Sequence, residues 1–132
     1  MLDSWPLVSW LRNEPAAPQV EQILAEQAAC RCLLHICTIN LGEVFYAIAR
    51  RRGLGQAQMD VAALRPCLHV LPAPGDLVMR AAALKAAHRI SYADGFAVAT
   101  ALELEAPLVT GDPEIRELSR ALPQLALHWL GN

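Results

Sequence analysis

The stretch ISYADGFAVATALELEAPLVTGDPEIREL, from Ile90 to Leu118, decides the fold. Its pattern predicts a helix, a short buried strand over 107–110 and then a second helix. Asp94 is the only charged residue between Ala93 and Leu102. A helix that is apolar nearly all round lies in a core. Because burying a bare carboxylate is costly, Asp94 must be hydrogen-bonded, paired or bound to a cation, which is the first indication of a functional site.

Outward from this stretch, short apolar strands alternate with helical patterns. Predicted strands are the stub 1–2 and the segments 33–39, 68–71, 107–110 and 125–130. Predicted helices cover 4–11, 20–28, 40–52, 56–64, 76–88, 93–102 and the residues that follow Asp112. This alternation indicates an α/β fold, a parallel sheet covered on both faces, in a single domain spanning 1–132. In such sheets the reactive pocket lies beyond the carboxyl ends of the strands.

The composition narrows the class of protein. With 132 residues, 55 % apolar and 18 % charged, the chain is long and apolar enough for a folded domain with a core. A net charge of −2 argues against nucleic-acid binding by bulk electrostatics, although it leaves room for a nuclease with local arginines. The N-terminal MLDSW lacks the basic region of a signal peptide, and no apolar run is as long as a membrane helix, so we expect a cytoplasmic protein.

The cysteines offer an alternative to an acidic site. Cys30, Cys32, Cys37 and Cys67 are interpreted as reduced thiols packed in the core. The CRC sequence at 30–32 could form half of a zinc site, but no second paired half follows in the sequence. Zinc is therefore disfavoured.

Four acids stand where the predicted pocket would lie. Asp3 ends the first strand, Glu43 lies near the head of the helix that Asn40 opens, and Asp112 ends the fourth strand. Asp94 lies at the start of its own helix. If the four converge, mutual repulsion would raise some of their pKa values. A divalent cation relieves that repulsion, and oxygen ligands favour Mg²⁺ or Mn²⁺ over zinc.

Helix capping is the competing explanation for these acids. The sequences at 40–43 and 91–94 both have the form of a capping box, and Asp112 before proline is a usual N-cap. Each cap would stabilise its helix by about 1 kcal/mol. Asp3 has no comparable capping pattern, and the whole set is harder to explain by capping than any one member.

Four segments together carry a family resemblance. They are LDS at 2–4, NLGEVFYAIARR at 40–51, SYADGFAVATALE at 91–103 and LVTGDPEI at 108–115. In these residues the chain resembles the PIN domain family, specifically the VapC-type toxin ribonucleases. The order and spacing of the four acids make the resemblance specific, and it covers nearly the whole chain.

The resemblance implies a three-layer α/β/α domain with a central, mostly parallel sheet. It implies a metal-dependent endoribonuclease, the toxin of a type II toxin–antitoxin pair, that uses Mg²⁺ or Mn²⁺ and leaves 5′-phosphate and 3′-hydroxyl ends. The implied catalytic and metal-binding residues are Asp3, Glu43, Asp94 and Asp112. Ser4 and Thr110 fall where the family often keeps a hydroxyl near that centre. A homodimer and a cognate VapB-type antitoxin are also implied.

Further residues have both a functional and a structural interpretation. Glu114 is either an outer ligand or a favourable acid in a first helical turn. Candidate RNA contacts are Arg50, Arg51, Lys85 and Arg89. Cations at a helix end are more often only solvated, and His88 is more often packed than a proton carrier.

Some features depart from the family pattern or leave alternatives open. The first strand has only two residues before Asp3, and Trp5-Pro6 replaces the usual small residues, so we expect either a thin sheet edge or a misplaced start. The alternative function is a non-catalytic PIN-like module that binds RNA or protein. A phospho-acceptor receiver domain is disfavoured, because LPAP at 71–74 leaves no acceptor aspartate after the third strand.

Overall fold

The computed structural model describes residues 1–30 and 34–131. The helices are α1 (Ser4–Leu11), α2 (Ala17–Ala29), α3 (Thr38–Arg52), α4 (Leu54–Leu64), α5 (Gly75–Ala87), α6 (Tyr92–Leu104) and α7 (Pro113–Ala121). The strands are β1 (Leu34–Cys37), β2 (Leu68–Leu71), β3 (Leu108–Thr110) and β4 (Leu127–Trp129), and a 3₁₀ turn spans Arg65–Cys67. Within the described ranges, no helix combines the length and apolarity needed to cross a bilayer.

The N-terminal segment joins two parallel strand pairs into one sheet. β1 pairs with β2, and β3 pairs with β4, both in parallel. Leu2 forms parallel bridges to Ile36 of β1 and to Val109 of β3. Its backbone N–H donates to the carbonyl of His35 at 2.7 Å, and the N–H of Val109 donates to the carbonyl of Met1 at 2.8 Å. The spatial order is therefore β2, β1, the N-terminal segment, β3, β4.

This position corrects the expectation of a thin sheet edge. Two residues are enough here because Leu2 hydrogen-bonds to a neighbour on each side and is 1 % exposed. Met1 and Leu2 point to opposite faces, as successive strand residues do. Asp3 is consequently placed at the centre of the sheet, at its carboxyl end.

Two cores, one on each face, confirm the three-layer α/β/α arrangement. On one face, Leu2 and Ile36 pack with residues of α1 to α4. On the other face, Met1 and Leu108 pack with residues of α5, α6 and α7. Helix α6 is buried without interruption from Asp94 to Ala101, so the prediction of a core helix is confirmed.

Several predicted boundaries are wrong. The chain turns directly from β1 into α3, so the strand ends at Cys37 and the helix begins at Thr38; Leu33 lies outside the described residues. Asn40 is therefore in the first turn of the helix and not at its cap, and it is fully buried. Its side-chain amide donates to the carbonyl of Ala93 at 3.0 Å, a tertiary bond that local sequence does not reveal. The last strand is also shorter than predicted, with three residues, 127–129.

The cysteine prediction is only partly right. Cys37 is a buried free thiol in the core. Cys67 is a free thiol but is exposed, and Cys30 is exposed as well. Cys32 lies outside the described residues.

Candidate active site

A cavity of about 310 Å³ opens at the carboxyl ends of the central strands. Six carboxylates line it: Asp3, Glu14, Glu43, Asp94, Asp112 and Glu114. The structure therefore brings together all four predicted acids and Glu114. Sequence reasoning missed Glu14, together with two other side chains of the lining, Arg12 and Tyr46. Arg12 and Glu14 lie in the α1–α2 connection, and Tyr46 lies in α3. No sequence pattern marked these three residues.

Asp3 is the most deeply buried of these acids, with 1 % of its surface exposed. Its Oδ1 accepts from the backbone N–H of Ser4 at 2.7 Å, and its Oδ2 accepts from the Thr110 hydroxyl at 3.0 Å. Asp3 is thus the N-cap of α1, which corrects the expectation that it has no capping role. Burial, followed by the charge of Asp94, raises the pKa of Asp3 from 3.8 to about 7, against the lowering effect of its two hydrogen bonds.

Glu43 lies in the second turn of α3 and is held at both carboxylate oxygens. The Ser4 hydroxyl donates to Oε2, and the Tyr46 hydroxyl donates to Oε1 at 3.0 Å. Tyr46 stands three residues after Glu43 on the helix, a spacing that puts two side chains side by side. That spacing is the sequence signal that would have found Tyr46.

Asp94 has the capping box that its sequence predicted. Its Oδ2 accepts from the Ser91 N–H at 2.9 Å, while its own N–H donates to the Ser91 hydroxyl at 3.1 Å. Burial raises the pKa of Asp94, and the charges of Asp112 and Glu43 add to the rise, against the hydrogen bonds from Ser91. Helix α6 follows α5 and not a strand, so Asp94 stands just after a helix-to-helix connection.

Thr110 links the deep part of the cavity to its rim. Its hydroxyl donates to Asp3 and accepts from the backbone N–H of Asp112 at 3.0 Å. Asp112 caps α7, and its Oδ1 accepts from the N–H of Glu114 at 2.7 Å. The hydroxyls predicted near the centre, Ser4 and Thr110, therefore both contact acids of the cavity.

Trp5, which departs from the family pattern, packs against Gly111. The indole ring occupies the space that a Cβ at residue 111 would need, so only glycine is accommodated there. Trp5 also lines the acidic cavity, and Pro6 beside it is buried in α1. Trp5 and Gly111 thus form one packed unit between α1 and the end of β3.

The residues present fit a hard divalent cation by their chemistry. The ionisable side chains that line the cavity are six carboxylates, the Tyr46 phenol and the Arg12 guanidinium. Two of the carboxylates, Asp3 and Asp94, have raised pKa values because burial and neighbouring negative charge disfavour ionisation. Among residues 1–30 and 34–131, no three His, Cys, Asp or Glu side chains are already gathered as a preformed metal site. Hydrogen bonds hold Asp3, Glu43, Asp94 and Asp112 around a shared space, and these are the side chains that would hold such a cation.

The predicted RNA contacts are distributed around the site. Arg50 stacks over the Tyr46 ring at 4.9 Å, next to the cavity, and Arg51 is exposed on the last turn of α3. The ammonium of Lys85 donates to the carbonyl of Ile90 at 3.1 Å and so holds the segment before α6. Arg89 lines an adjoining cleft of about 560 Å³ that shares Glu114 with the acidic cavity. His88 lines the same cleft and is half-buried.

Comparison with known proteins places this geometry in a family. The chain is similar to solved structures of VapBC2 from Rickettsia felis bound to promoter DNA (20 % identity, TM-score 0.71, 97 % of this chain and 96 % of that one). It is similar to VapBC-1 from nontypeable Haemophilus influenzae (20 % identity, TM-score 0.70, 98 % of this chain and 96 % of that one). It is also similar to a toxin–antitoxin complex from Klebsiella pneumoniae (16 % identity, TM-score 0.62, 95 % of this chain and 93 % of that one). A search of curated proteins finds no significant match. The model of the PIN domain matches residues 1–121, and the chain belongs to the PIN domain family.

Proposed function

We propose that this protein is a metal-dependent endoribonuclease, the toxin of a type II toxin–antitoxin pair. The observation that carries the proposal is the gathering of Asp3, Glu43, Asp94 and Asp112 in one cavity. They come from four separate parts of the chain, and helix capping alone would not require them to meet. Capping could also be performed by Ser, Thr or Asn, which would avoid the repulsion between buried carboxylates.

Mg²⁺ or Mn²⁺ would be held by these four carboxylates, with Glu114 at the rim. When bound, such an ion lowers the pKa of a water and stabilises charge on phosphate oxygens. Ser4 orients Glu43 by its hydrogen bond, and Thr110 orients both Asp3 and Asp112. The helices that Asp3, Ser91 and Asp112 cap begin beside the cavity, and their N-termini favour a phosphate there. The expected products carry 5′-phosphate and 3′-hydroxyl ends.

RNA would reach the cavity past the cations around it. Arg50, Arg51 and Arg89 are the proposed backbone contacts, with Arg89 in the adjoining cleft. Lys85 contributes by holding the Ile90 carbonyl and with it the start of α6.

The proposed partner is a VapB-type antitoxin, because the similar structures are of VapBC and toxin–antitoxin complexes. We also propose that each chain is a single domain and that two chains form a homodimer. The protein would act in the cytoplasm, where its RNA substrate is found. Expression without the antitoxin is then expected to arrest growth. A harmless product would favour the non-catalytic interaction module.

Asp94→Asn tests the enzyme directly. The amide oxygen can still accept the Ser91 N–H, so α6 keeps its cap while the site loses a charge. We expect loss of Mg²⁺- or Mn²⁺-dependent cleavage of total RNA, with an unchanged far-ultraviolet circular dichroism spectrum. The matched control is Glu103→Gln on the same helix, an exposed acid paired with Arg80. Cleavage by Asp94→Asn at the wild-type rate would reject the assignment. Cleavage by the wild-type protein in the presence of a chelator would reject it as well.

A further inference from the structure

We propose that Arg12 binds a phosphate of the RNA strand next to the cleaved bond and is thus a substrate-binding residue of the acidic cavity. The inference rests on the proposed nuclease function and extends it to the way a polyanion enters a site lined by acids. Six carboxylates line this cavity, and among the residues that the structure describes Arg12 is the one cation in the lining.

The charge balance of the cavity favours such a cation. Even with Asp3 protonated, the other five carboxylates, when ionised, carry more negative charge than one or two divalent ions neutralise, so the site remains anionic when RNA approaches. A phosphodiester brings a further negative charge. Guanidinium is the side-chain group best suited to this contact, because its planar fork donates to two oxygens of a phosphate at once.

The position of Arg12 on the chain sets which phosphate it can contact. Ser4, Val8 and Arg12 all line the cavity. Their spacing of four residues places them along one face of α1, whose last residue, Leu11, directly precedes Arg12. At 1.5 Å per residue, Arg12 lies about 12 Å along the axis from Ser4, which contacts the central acids. It is therefore placed for a phosphate beside the scissile one.

The present partner of Arg12 does not commit it to another role. Its guanidinium is 3.8 Å from a carboxylate oxygen of Glu14, at the long end of an ion pair. The two side chains are 34 % and 39 % exposed, so solvent screens the pair and its contribution to stability is small. Arg12 can leave Glu14 for a phosphate with little loss.

Binding measurements test the inference separately from the nuclease assignment. The probe is a short fluorescein-labelled single-stranded RNA of mixed sequence, titrated at several salt concentrations with protein that carries Asp94→Asn to prevent cleavage. In this background Arg12→Gln should weaken the Kd about tenfold at low salt. It should reduce the slope of log Kd against log salt by about 0.7, the value for one phosphate contact on a single strand. Arg12→Lys should retain the slope and lose part of the affinity.

The matched control is Arg65→Gln, an exposed arginine at the amino-terminal approach to β2, at the opposite end of the sheet. It should leave both the Kd and the slope unchanged. Glu14→Gln should strengthen RNA binding, and this gain should shrink when Arg12 is also replaced. If Arg12→Gln and Glu14→Gln shift the melting temperature but not the Kd, Arg12 is only an ion-pair partner and the inference is wrong.

Kinetics on total RNA complete the test. Without the Asp94 substitution, Arg12→Gln should raise KM with little change in kcat, as expected for contact with a neighbouring phosphate. A fall in kcat at constant KM would contradict this placement. If the wild-type protein does not cleave RNA at all, the nuclease proposal fails; if it does and Arg12→Gln is indistinguishable from it, the present inference fails alone.

Discussion

At the scale of single residues, burial and a neighbouring negative charge make Asp3 costly to ionise. It is fully enclosed, lies near Asp94, and has its pKa raised to about 7. A raised pKa means that the folded protein binds this proton more tightly than the unfolded chain does. The free energy of unfolding therefore falls as the pH rises from about 3.8, the unfolded value, through about 7. The stabilising contribution of the protonated form is complete below that window and absent above it.

Asp3→Asn should remove this pH dependence. The amide keeps an acceptor for the Ser4 N–H but carries no charge, so the variant should be more stable than wild type at pH 8 in chelator. At about 1.4 kcal/mol per pKa unit, the gain is on the order of a few kcal/mol and should vanish below pH 4. Urea denaturation across this pH range measures it. Asp76→Asn, an exposed acid on α5, is the control, and stability curves for Asp3→Asn that run parallel to wild type would contradict the prediction.

Tyr46 acts on the site through Glu43. Its hydroxyl donates to Oε1, and burial, followed by this hydrogen bond to Glu43, raises the pKa of Tyr46. Tyr46→Phe should free Glu43 to rotate and raise the Mg²⁺ concentration needed for half-maximal cleavage several-fold. Tyr92→Phe, at a tyrosine of similar exposure, is the control. An unchanged metal dependence in Tyr46→Phe would show that Ser4 alone positions the carboxylate.

At the scale of elements, the contact between α5 and α6 sets the position of Asp94. A Cβ at Gly95 would lie 2.8 Å from the carbonyl oxygen of Ala81, so the helices approach too closely for a side chain there. Gly95→Ala should separate them and destabilise the protein by about 1–3 kcal/mol. It should also reduce RNA cleavage, because Asp94 adjoins the displaced residue.

The control for this substitution has the opposite expected sign. Gly55 lies in α4, and nothing stands within 4 Å of a Cβ built there. Gly55→Ala should therefore stabilise the protein by up to about 1 kcal/mol, through the better helix propensity of alanine. Thermal denaturation of both variants gives the comparison. Equal effects of the two substitutions would mean that the close approach at Ala81 does not constrain α6.

The sequence predicted elements wherever the signal was local. The apolar run of α6, the capping box at Ser91 and the N-cap at Asp112 all depend on neighbours within a few residues. Predictions failed where a tertiary contact overrides the local pattern. Asn40 has the sequence of a cap, yet its amide bonds to Ala93, far along the chain, and α3 begins before it.

The same distinction applies to the candidate site. The four acids were found by their order and spacing, which the family resemblance made specific. Arg12 and Glu14 sit at a break between helices, and nothing in their sequence shows that α1 turns them into the cavity. The central position of the two-residue strand in the sheet could not be predicted either, because it depends on the pairing of Leu2 with β1 on one side and β3 on the other.

At the scale of the whole molecule, the acidic cavity joins distant parts of the chain. Its acids come from the N-cap of α1, the α1–α2 connection, α3, α6 and the start of α7, so an ion bound among them would link both layers of helices. Because the unfolded chain separates these groups, a ligand of the cavity stabilises the folded state as a whole. The stabilisation is about 2.7 kcal/mol when the free ion is at 100 times its Kd.

Mn²⁺ or Mg²⁺ should therefore raise the melting temperature of the wild-type protein in a saturable way. Sodium chloride at matched ionic strength separates binding from screening, because screening affects surface charges without saturating at a site. Asp112→Asn removes a proposed ligand and should shift the saturation curve to higher ion concentration, whereas Glu26→Gln on the exposed face of α2 should not. A melting temperature that responds equally to sodium and to the divalent ions, or a curve for Asp112→Asn that overlays wild type, would mean that the carboxylates share a cavity without sharing a cation.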